Sequence, residues 1–296
     1  MKEFRQRDLR NIALFGAEGQ RRLRATTAAV FGGGGLGSPL CQHLAFLGLR
    51  GLNPVDDEDL DDTNRNRFVG ARHSDAVPGT AKVDIIARHV KGIDPTIQVR
   101  PIERTLLSED AFQAVREADW VFGCFDEDGP RLILSELCIA YDKPYIDLAS
   151  DVPEPGIYGG RVTLSKQGTG CLKCRGLLDP KDLRRFFATD EQLEAEDRIY
   201  GVDKEMLDGR GPSVSPINGV VAALAATEFM VAITGMRDPI PHIEYRGHQA
   251  KVFVMNDLLA ADCPLCATRG KGAVAEVERY LAMSHVIERR ARKTGH

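Results

Sequence analysis

A short apolar run at residues 26–31 (TTAAVF) stops in a cluster of glycines, Gly32 to Gly35 and Gly37, and a helical pattern follows from Ser38 to about Leu47. Few folds accept that order. A strand ending in a tight glycine turn that opens a helix aims backbone N–H groups at one point, and such a point suits a phosphate. The next apolar stretch closes at Val55-Asp56, 19 residues after Gly37. This completes a β-α-β unit of the nucleotide-binding kind, with an acid at the tip of the second strand. Asn53-Pro54 falls inside that second strand. Proline brings no N–H to a ladder, so the expectation is a strand that starts late or bulges. The glycine turn alone is shared by dehydrogenases, methyltransferases and adenylating enzymes.

The alternation continues. Residues 83–90 read as helix, 97–99 as extended chain, 118–125 (ADWVFGCF) as a buried strand ending at Asp126, 131–141 as helix and 144–148 as strand. Strands alternating with helices predict an α/β fold, Rossmann-like, with a mostly parallel sheet and helices on both faces. Beyond Gly156 the pattern changes. Residues 160–164 are strand-like, and residues 179–211 are highly charged with few branched apolar side chains, which reads as a polar crossover loop. Ser215-Pro216 opens an apolar helix to about Ile233, with Gly235 as its stop. Residues 243–254 look like a hairpin. From Gly272 to the end the pattern is one more helix with a basic tip, packed by Val274, Val277 and Leu281.

Four of the seven cysteines form two C-x-x-C pairs, Cys171 with Cys174 and Cys263 with Cys266. Two such pairs are the pattern of a structural zinc site, in which four thiolates close a tetrahedron and leave no open position for catalysis. The other reading is two disulfides or redox pairs. Cys41 and Cys138 fall in apolar helical patterns and read as core. Lys plus Arg number 39 against 43 Asp plus Glu, a formal charge of -4, whereas a general nucleic-acid binder shows a basic excess. No uninterrupted apolar run reaches the roughly 18 residues of a membrane helix. The charged opening MKEFRQRDLR has no apolar signal segment behind it, and the expected location is cytoplasmic.

Six blocks together, R10-N-I-A-L-F-G-A-E-G-Q20, V30-F-G-G-G-G-L-G-S38, V55-D-D-E-D-L-D-D-T-N-R-N-R67, G79-T-A-K82, C124-F-D126 with Arg131, and the cysteine pairs, resemble the ThiF/MoeB/HesA family of ubiquitin-activating-enzyme-like adenylyltransferases. The resemblance runs from residue 4 to about 268. It implies an adenylation domain at 1–268 and a helical tail at 269–296. It also implies ATP-dependent activation of the C-terminal glycine carboxylate of a small ubiquitin-fold carrier ending in Gly-Gly, with pyrophosphate released. By position, Arg67 and Lys82 contact the phosphates, Asn64 orients them, Asp126 binds Mg2+ and Asp56 holds the ribose. Gly32, Gly34, Gly35 and Gly37 let the backbone approach the nucleotide. Arg10 stands where the family supplies an arginine from a neighbouring subunit, which implies a homodimer. Arg10 as a surface charge, Lys82 as a solvated helix start, Asp126 as a loop cap, and Asp56, Asn64 and Arg67 as ordinary turn residues are the plainer readings.

Many relatives carry a crossover cysteine that takes the carrier as a thioester. Residues 175–262 hold no cysteine here, and the equivalent place falls near Asp208 or Gly209. The resemblance is therefore to members that stop at the acyl-adenylate and hand it to a sulfur donor or conjugating enzyme. Cys124 is the substitute nucleophile to consider. Arg65 replaces an apolar residue between the asparagines and adds charge beside the phosphates. The competing functions are adenylation of a peptide or modified-tRNA carboxylate, a non-catalytic subunit that docks a ubiquitin-like protein, and a dehydrogenase. The last leaves Asn64, Arg67, Lys82 and Asp126 without a role.

Overall fold

The computed structural model describes residues 4–193 and 212–294. Eight strands form one sheet in the order β3-β2-β1-β4-β5-β6-β7-β8. The first five, β1 (Thr27–Phe31), β2 (Gly51–Val55), β3 (Gln98–Val99), β4 (Trp120–Gly123) and β5 (Tyr145–Glu154), run parallel. Then β6 (Ile157–Ser165), β7 (His242–Arg246) and β8 (Lys251–Val254) extend it antiparallel. Successive side chains of a strand face opposite ways, and both faces here are covered, which is why β1 reads as a continuous apolar run. Ala28 and Val30 pack with Leu23 of α1 (Leu9–Ala25), Leu40 and Leu44 of α2 (Gly37–Leu47), and Ile85, Ile86 and Val90 of α3 (Lys82–Ile93). Ala29 and Phe31 meet Phe112 of α4 (Glu109–Glu117) and Leu134 and Leu137 of α5 (Asp128–Ala140).

The apolar helix near residue 215 is α7 (Ser215–Thr234), stopped by Gly235 in the left-handed region at φ 74°. Its 20 residues are apolar enough to cross a membrane by length and composition. In the fold, Val221, Ala225 and Phe229 are buried against the sheet, and the Phe229 ring lies 5.3 Å from Trp120 and 5.5 Å from Phe122 in edge-to-face geometry. Buried Glu228 on the same helix receives a forked Arg237, with N···O distances of 2.8 and 2.6 Å.

Four expectations change. Pro54 neither delays nor bulges β2, which pairs with β1 residue for residue from Gly51 to Val55. The Pro54 carbonyl accepts from Ile102 N–H (2.9 Å), on the β3 side, and β3 itself is two residues long. A residue's N–H and C=O point the same way in a strand, so the missing donor faces this outer side, where the Leu52 carbonyl still accepts from Arg100 N–H (3.2 Å), and the pairing with β1 is untouched. Secondly, the crossover segment begins as helix α6 (Pro180–Phe187). Asp179 caps it by accepting from Lys181 N–H (2.8 Å), Pro180 takes the first turn, and Leu183, Phe186 and Phe187 pack on the α5 side of the core. Asp208 and Gly209 lie outside the described residues. Thirdly, the tail is not a single helix. Two 3-10 segments, Gly272–Ala275 and Val277–Ala282, are separated by Glu276 at φ 55°, and α8 (Ser284–Thr294) follows. Val277, Tyr280 and Val286 are buried in the core, whereas Val274 is 80% exposed. Finally, β5 and β6 form a longer hairpin than residues 144–148 and 160–164 suggested, because their outer halves face solvent and lose the apolar pattern.

Candidate nucleotide site and cysteine cluster

The strand order reverses between β1 and β4, the position at which open α/β sheets leave a crevice beyond their carboxyl ends. Three sequence blocks are delivered there, the glycine turn after β1, Asp56 after β2 and the loop of Cys124 to Glu127 after β4. Gly32 has φ +88°, and a Cβ on it would sit 2.8 Å from the Cys124 carbonyl oxygen. A Cβ on Gly37 would lie 1.9 Å from the Gly32 carbonyl oxygen. A Cβ on Gly34 meets open space, so this backbone is available to a ligand.

Asp56 braces the turn from beneath. Its Oδ2 accepts from Gly33 N–H at 2.6 Å and its Oδ1 from Glu58 N–H at 2.9 Å. Burial pushes its carboxyl up, against the pull of nearby Lys82. The 3-10 turn Asp62–Asn64, capped by Asp61, buries Asn64, whose carbonyl accepts from Arg67 and Phe68 N–H, both at 3.0 Å. Arg67 bends back over the glycine turn, with its stem 3.0 Å from the place of a Gly35 Cβ and its Nη1 donating to the Thr63 carbonyl (2.6 Å) and Asn66 Oδ1 (2.9 Å). Lys82, 5% exposed, donates from Nζ to Glu58 Oε2. Asp126 is exposed in the loop after β4. Arg131 fixes that loop, donating to the Phe125 carbonyl from Nε (3.0 Å) and Nη2 (2.5 Å) and to Asp128 Oδ1 from Nη1 (3.3 Å).

The structure thus gathers Gly32, Gly34, Gly35, Gly37, Asp56, Asn64, Arg67 and Lys82 around one crevice, with Asp126 at the adjoining strand end. Arg10 stands apart on the exposed first turn of α1, with no hydrogen bond or ion pair to any of them among the described residues. Arg65 is turned to another task. It donates to Asp62 (2.8 Å) and to the Arg72 (2.7 Å) and Asp75 (2.9 Å) carbonyls, tying its own loop together. Burial pushes the Cys124 thiol well up, which disfavours the thiolate a nucleophile needs.

Two site residues escaped the sequence reading. Asn218, 1% exposed, donates from Nδ2 to Ser213 Oγ (3.0 Å) while its Oδ1 has no partner, and its amide lies against Gly35. The available signal was an asparagine in the first turn of an otherwise apolar helix. The other is Glu58, the partner of Lys82, hidden in a run of acids at residues 56–59. Behind Arg131 lies a further buried polar group, in which Tyr145 donates to Asp147 Oδ1 (2.9 Å) and Arg131 Nε stands 3.8 Å from the same oxygen.

The cysteine pairs meet although 88 residues separate them. The four Sγ atoms of Cys171, Cys174, Cys263 and Cys266 lie within 4.8 Å of one another, with neighbours at 3.5, 3.7 and 3.3 Å. Metal–sulfur bonds of about 2.3 Å set tetrahedral edges near 3.8 Å, so the cluster has the dimensions to hold a metal ion. No disulfide is formed. Arg175, directly after the first pair, bonds Asp257 and the Thr169 carbonyl, and Asp257 also meets His242 Nδ1 at 2.9 Å. These contacts fix the cluster to the β7 end of the sheet.

Residues 6–265 match the ThiF family. Among curated relatives, "Adenylyltransferase and sulfurtransferase MOCS3-1" of Zea mays is 29% identical over 268 residues, covering 90% of this chain and 51% of the maize protein. "Protein HesA, vegetative" of Trichormus variabilis is 28% identical over 261 residues, covering 87% of this chain and 86% of that one. The chain therefore spans about half the length of the maize relative it matches. Among solved structures, E. coli MccB with ATP superimposes with a TM-score of 0.69 at 22% identity, over 89% of this chain and 75% of that one, a likeness of fold. With a family match that spans residues 6–265, most of its length, this chain belongs to the ThiF family.

Proposed function

We propose that this chain is an ATP-dependent adenylyltransferase acting on the C-terminal glycine carboxylate of a small ubiquitin-like or sulfur-carrier protein, and that it releases the product as an acyl-adenylate. The observation that carries this reading is the gathering of Asn64, Arg67 and Lys82 beside an open glycine turn at the strand-order switch. In the reaction a carboxylate oxygen of the carrier bonds to the α-phosphorus of ATP. The bond from that phosphorus to its bridging oxygen breaks, and pyrophosphate leaves with the electron pair. No proton moves at the reacting centre, so no general base is required. What the step demands is cationic and N–H groups fixed where two anions approach and where charge departs. Arg67 and Lys82 supply the charge, Asn64 an amide, and the Gly32–Gly37 backbone its N–H groups.

Asp126 is the residue that would hold Mg2+, which neutralises phosphate charge when bound. Its exposed carboxylate beside the crevice fits a hard cation. Cys171, Cys174, Cys263 and Cys266 would hold Zn2+ as a structural ion, since four thiolates leave it no open position. Release as the adenylate is supported by the lack of a cysteine in residues 175–262 and by the partly buried Cys124, whose thiol is pushed well up. A sulfur donor or conjugating enzyme then receives the acyl group. Arg10, exposed on α1, would serve the site of a second copy in a homodimer. The curated relative "SAMP-activating enzyme E1" of Haloferax volcanii, 35% identical over 123 residues that cover 42% of this chain, supports an activating reaction.

The test is exchange of labelled pyrophosphate into ATP, run with purified ubiquitin-fold carriers ending in Gly-Gly and with carriers lacking the last glycine. Exchange with the former alone supports the reading. Exchange with short peptides and none with carriers would move it to a peptide acceptor.

A further inference from the structure

Helix α8 lies beyond residues 6–265, the span of the family match, yet it touches the nucleotide crevice. Arg290 donates from Nε to Asp57 Oδ2 (3.0 Å) and from Nη2 to Asp57 Oδ1 (2.8 Å) and Glu58 Oε1 (3.0 Å). The other Glu58 oxygen accepts Lys82 Nζ. Glu58 is thus shared between the phosphate-contacting lysine and an arginine of the tail. Asp57, 17% exposed at its side chain, and Glu58, 27% exposed, are screened little by water. With Asp56 and Asp59 they form four consecutive acids beside a crevice proposed to take a polyanion. The same helix is anchored elsewhere. Val286 is buried, Arg289 bonds the Phe186 and Ala188 carbonyls at the end of α6, His285 Nε2 lies 3.2 Å from the Phe187 carbonyl, and Arg292 pairs with Asp190 at 2.6 Å. Cations against the last carbonyls of α6 are favoured by the helix dipole as well as by hydrogen bonding. Arg290 is therefore held in place by contacts independent of the acids it meets.

We propose that Arg290 is a positioning residue for nucleotide binding. It neutralises Asp57 and competes for Glu58, and so leaves Lys82 free to turn from Glu58 to the phosphates. The inference rests on the adenylation reading. Without Arg290, Glu58 holds Lys82 undivided and Asp57 faces the nucleotide uncompensated, so ATP binds more weakly. A role confined to packing would not depend on the charge at residue 58.

The experiment titrates ATP-Mg2+ calorimetrically into the full chain as wild type, Arg290→Ala, Glu58→Gln and the double variant. Arg290→Ala is expected to raise the Kd about tenfold, within the usual range of coupling between sites, and adding Glu58→Gln to bring it back to within about threefold of wild type. A Kd unchanged by Arg290→Ala, or a double variant as weak as the single one, overturns the inference while leaving the adenylation reading in place. No ATP binding by wild type overturns both. If Arg290→Ala does not fold, Arg290→Lys takes its place, since a point charge cannot reproduce the fork across Asp57 and Glu58. The same order is expected, weaker than wild type and restored by Glu58→Gln.

Discussion

Gly35 and Asn218 close on each other across the glycine turn, so that a Cβ on Gly35 would lie 2.4 Å from Asn218 Nδ2 and 3.0 Å from Arg67 Cδ. One hydrogen atom is the largest side chain this contact admits. Gly35→Ala must displace either the amide or the arginine, and overpacking of this kind costs about 1–3 kcal/mol. We expect that loss in chemical denaturation, together with at least a tenfold weaker ATP affinity (about 1.4 kcal/mol). Asn218→Ala in the same chain makes room again and should recover most of the stability. If Gly35→Ala binds ATP as wild type does, the turn is not the nucleotide seat.

The cysteine cluster makes a prediction about metal and stability together. Cys263→Ser should release one equivalent of zinc by elemental analysis and lower stability by several kcal/mol, because a structural ion's binding free energy is folding free energy. Chelation of wild type should do the same. Retention of stoichiometric zinc in the variant would place the metal elsewhere.

Acid stability should carry the mark of Asp75. Arg88 donates to it from both Nη atoms, at 2.7 and 2.8 Å, and holds its carboxyl down at about 2. An unfolded aspartate titrates near 3.9, so the unfolded chain binds the proton first as pH falls. The stabilisation is complete above about pH 4 and is lost between about pH 4 and the folded value of about 2. Denaturation midpoints measured across that window should flatten in Asp75→Asn. An equally steep fall in the variant would assign the acid limb to other carboxylates, with Asp94 under Arg5 the first to examine.

Cys124→Ala should leave formation of the acyl-adenylate within about twofold of wild type, since burial keeps this thiol protonated. Mass spectrometry of the reaction mixture under non-reducing conditions should show no carrier bonded to the chain. A thiol-sensitive adduct that disappears in Cys124→Ala would contradict release as the adenylate.

The sequence foretold most of what local chemistry dictates. The glycine turn and the acid closing β2 were legible because a tight strand-to-helix connection tolerates few residues, and the two cysteine pairs because metal ligation fixes their spacing. Pro54 misled because its effect depends on the neighbour it faces, and only the sheet order shows that its missing donor points to the outer β3 side and leaves the pairing with β1 intact. Helix α6 was hidden by its charges. Its cap, Asp179-Pro180, was readable, but its apolar face comprises only Leu183, Phe186 and Phe187. Asn218 and Arg290 were beyond sequence reasoning for a different reason. Each acts on a residue more than 180 positions away, Gly35 and Asp57, and nothing local to either announces that contact.

The central claim, that this crevice binds ATP through Lys82 and Asp126, is tested most directly by thermal unfolding with ATP-Mg2+ and, separately, NAD, on wild type, Lys82→Ala and Asp126→Ala. A ligand at a hundred times its Kd stabilises a fold by roughly 2.7 kcal/mol. The account predicts that gain for wild type with ATP-Mg2+, none with NAD, and loss of the response in both variants. Stabilisation of wild type by NAD rather than ATP-Mg2+, or an undiminished ATP response in both variants, would contradict it.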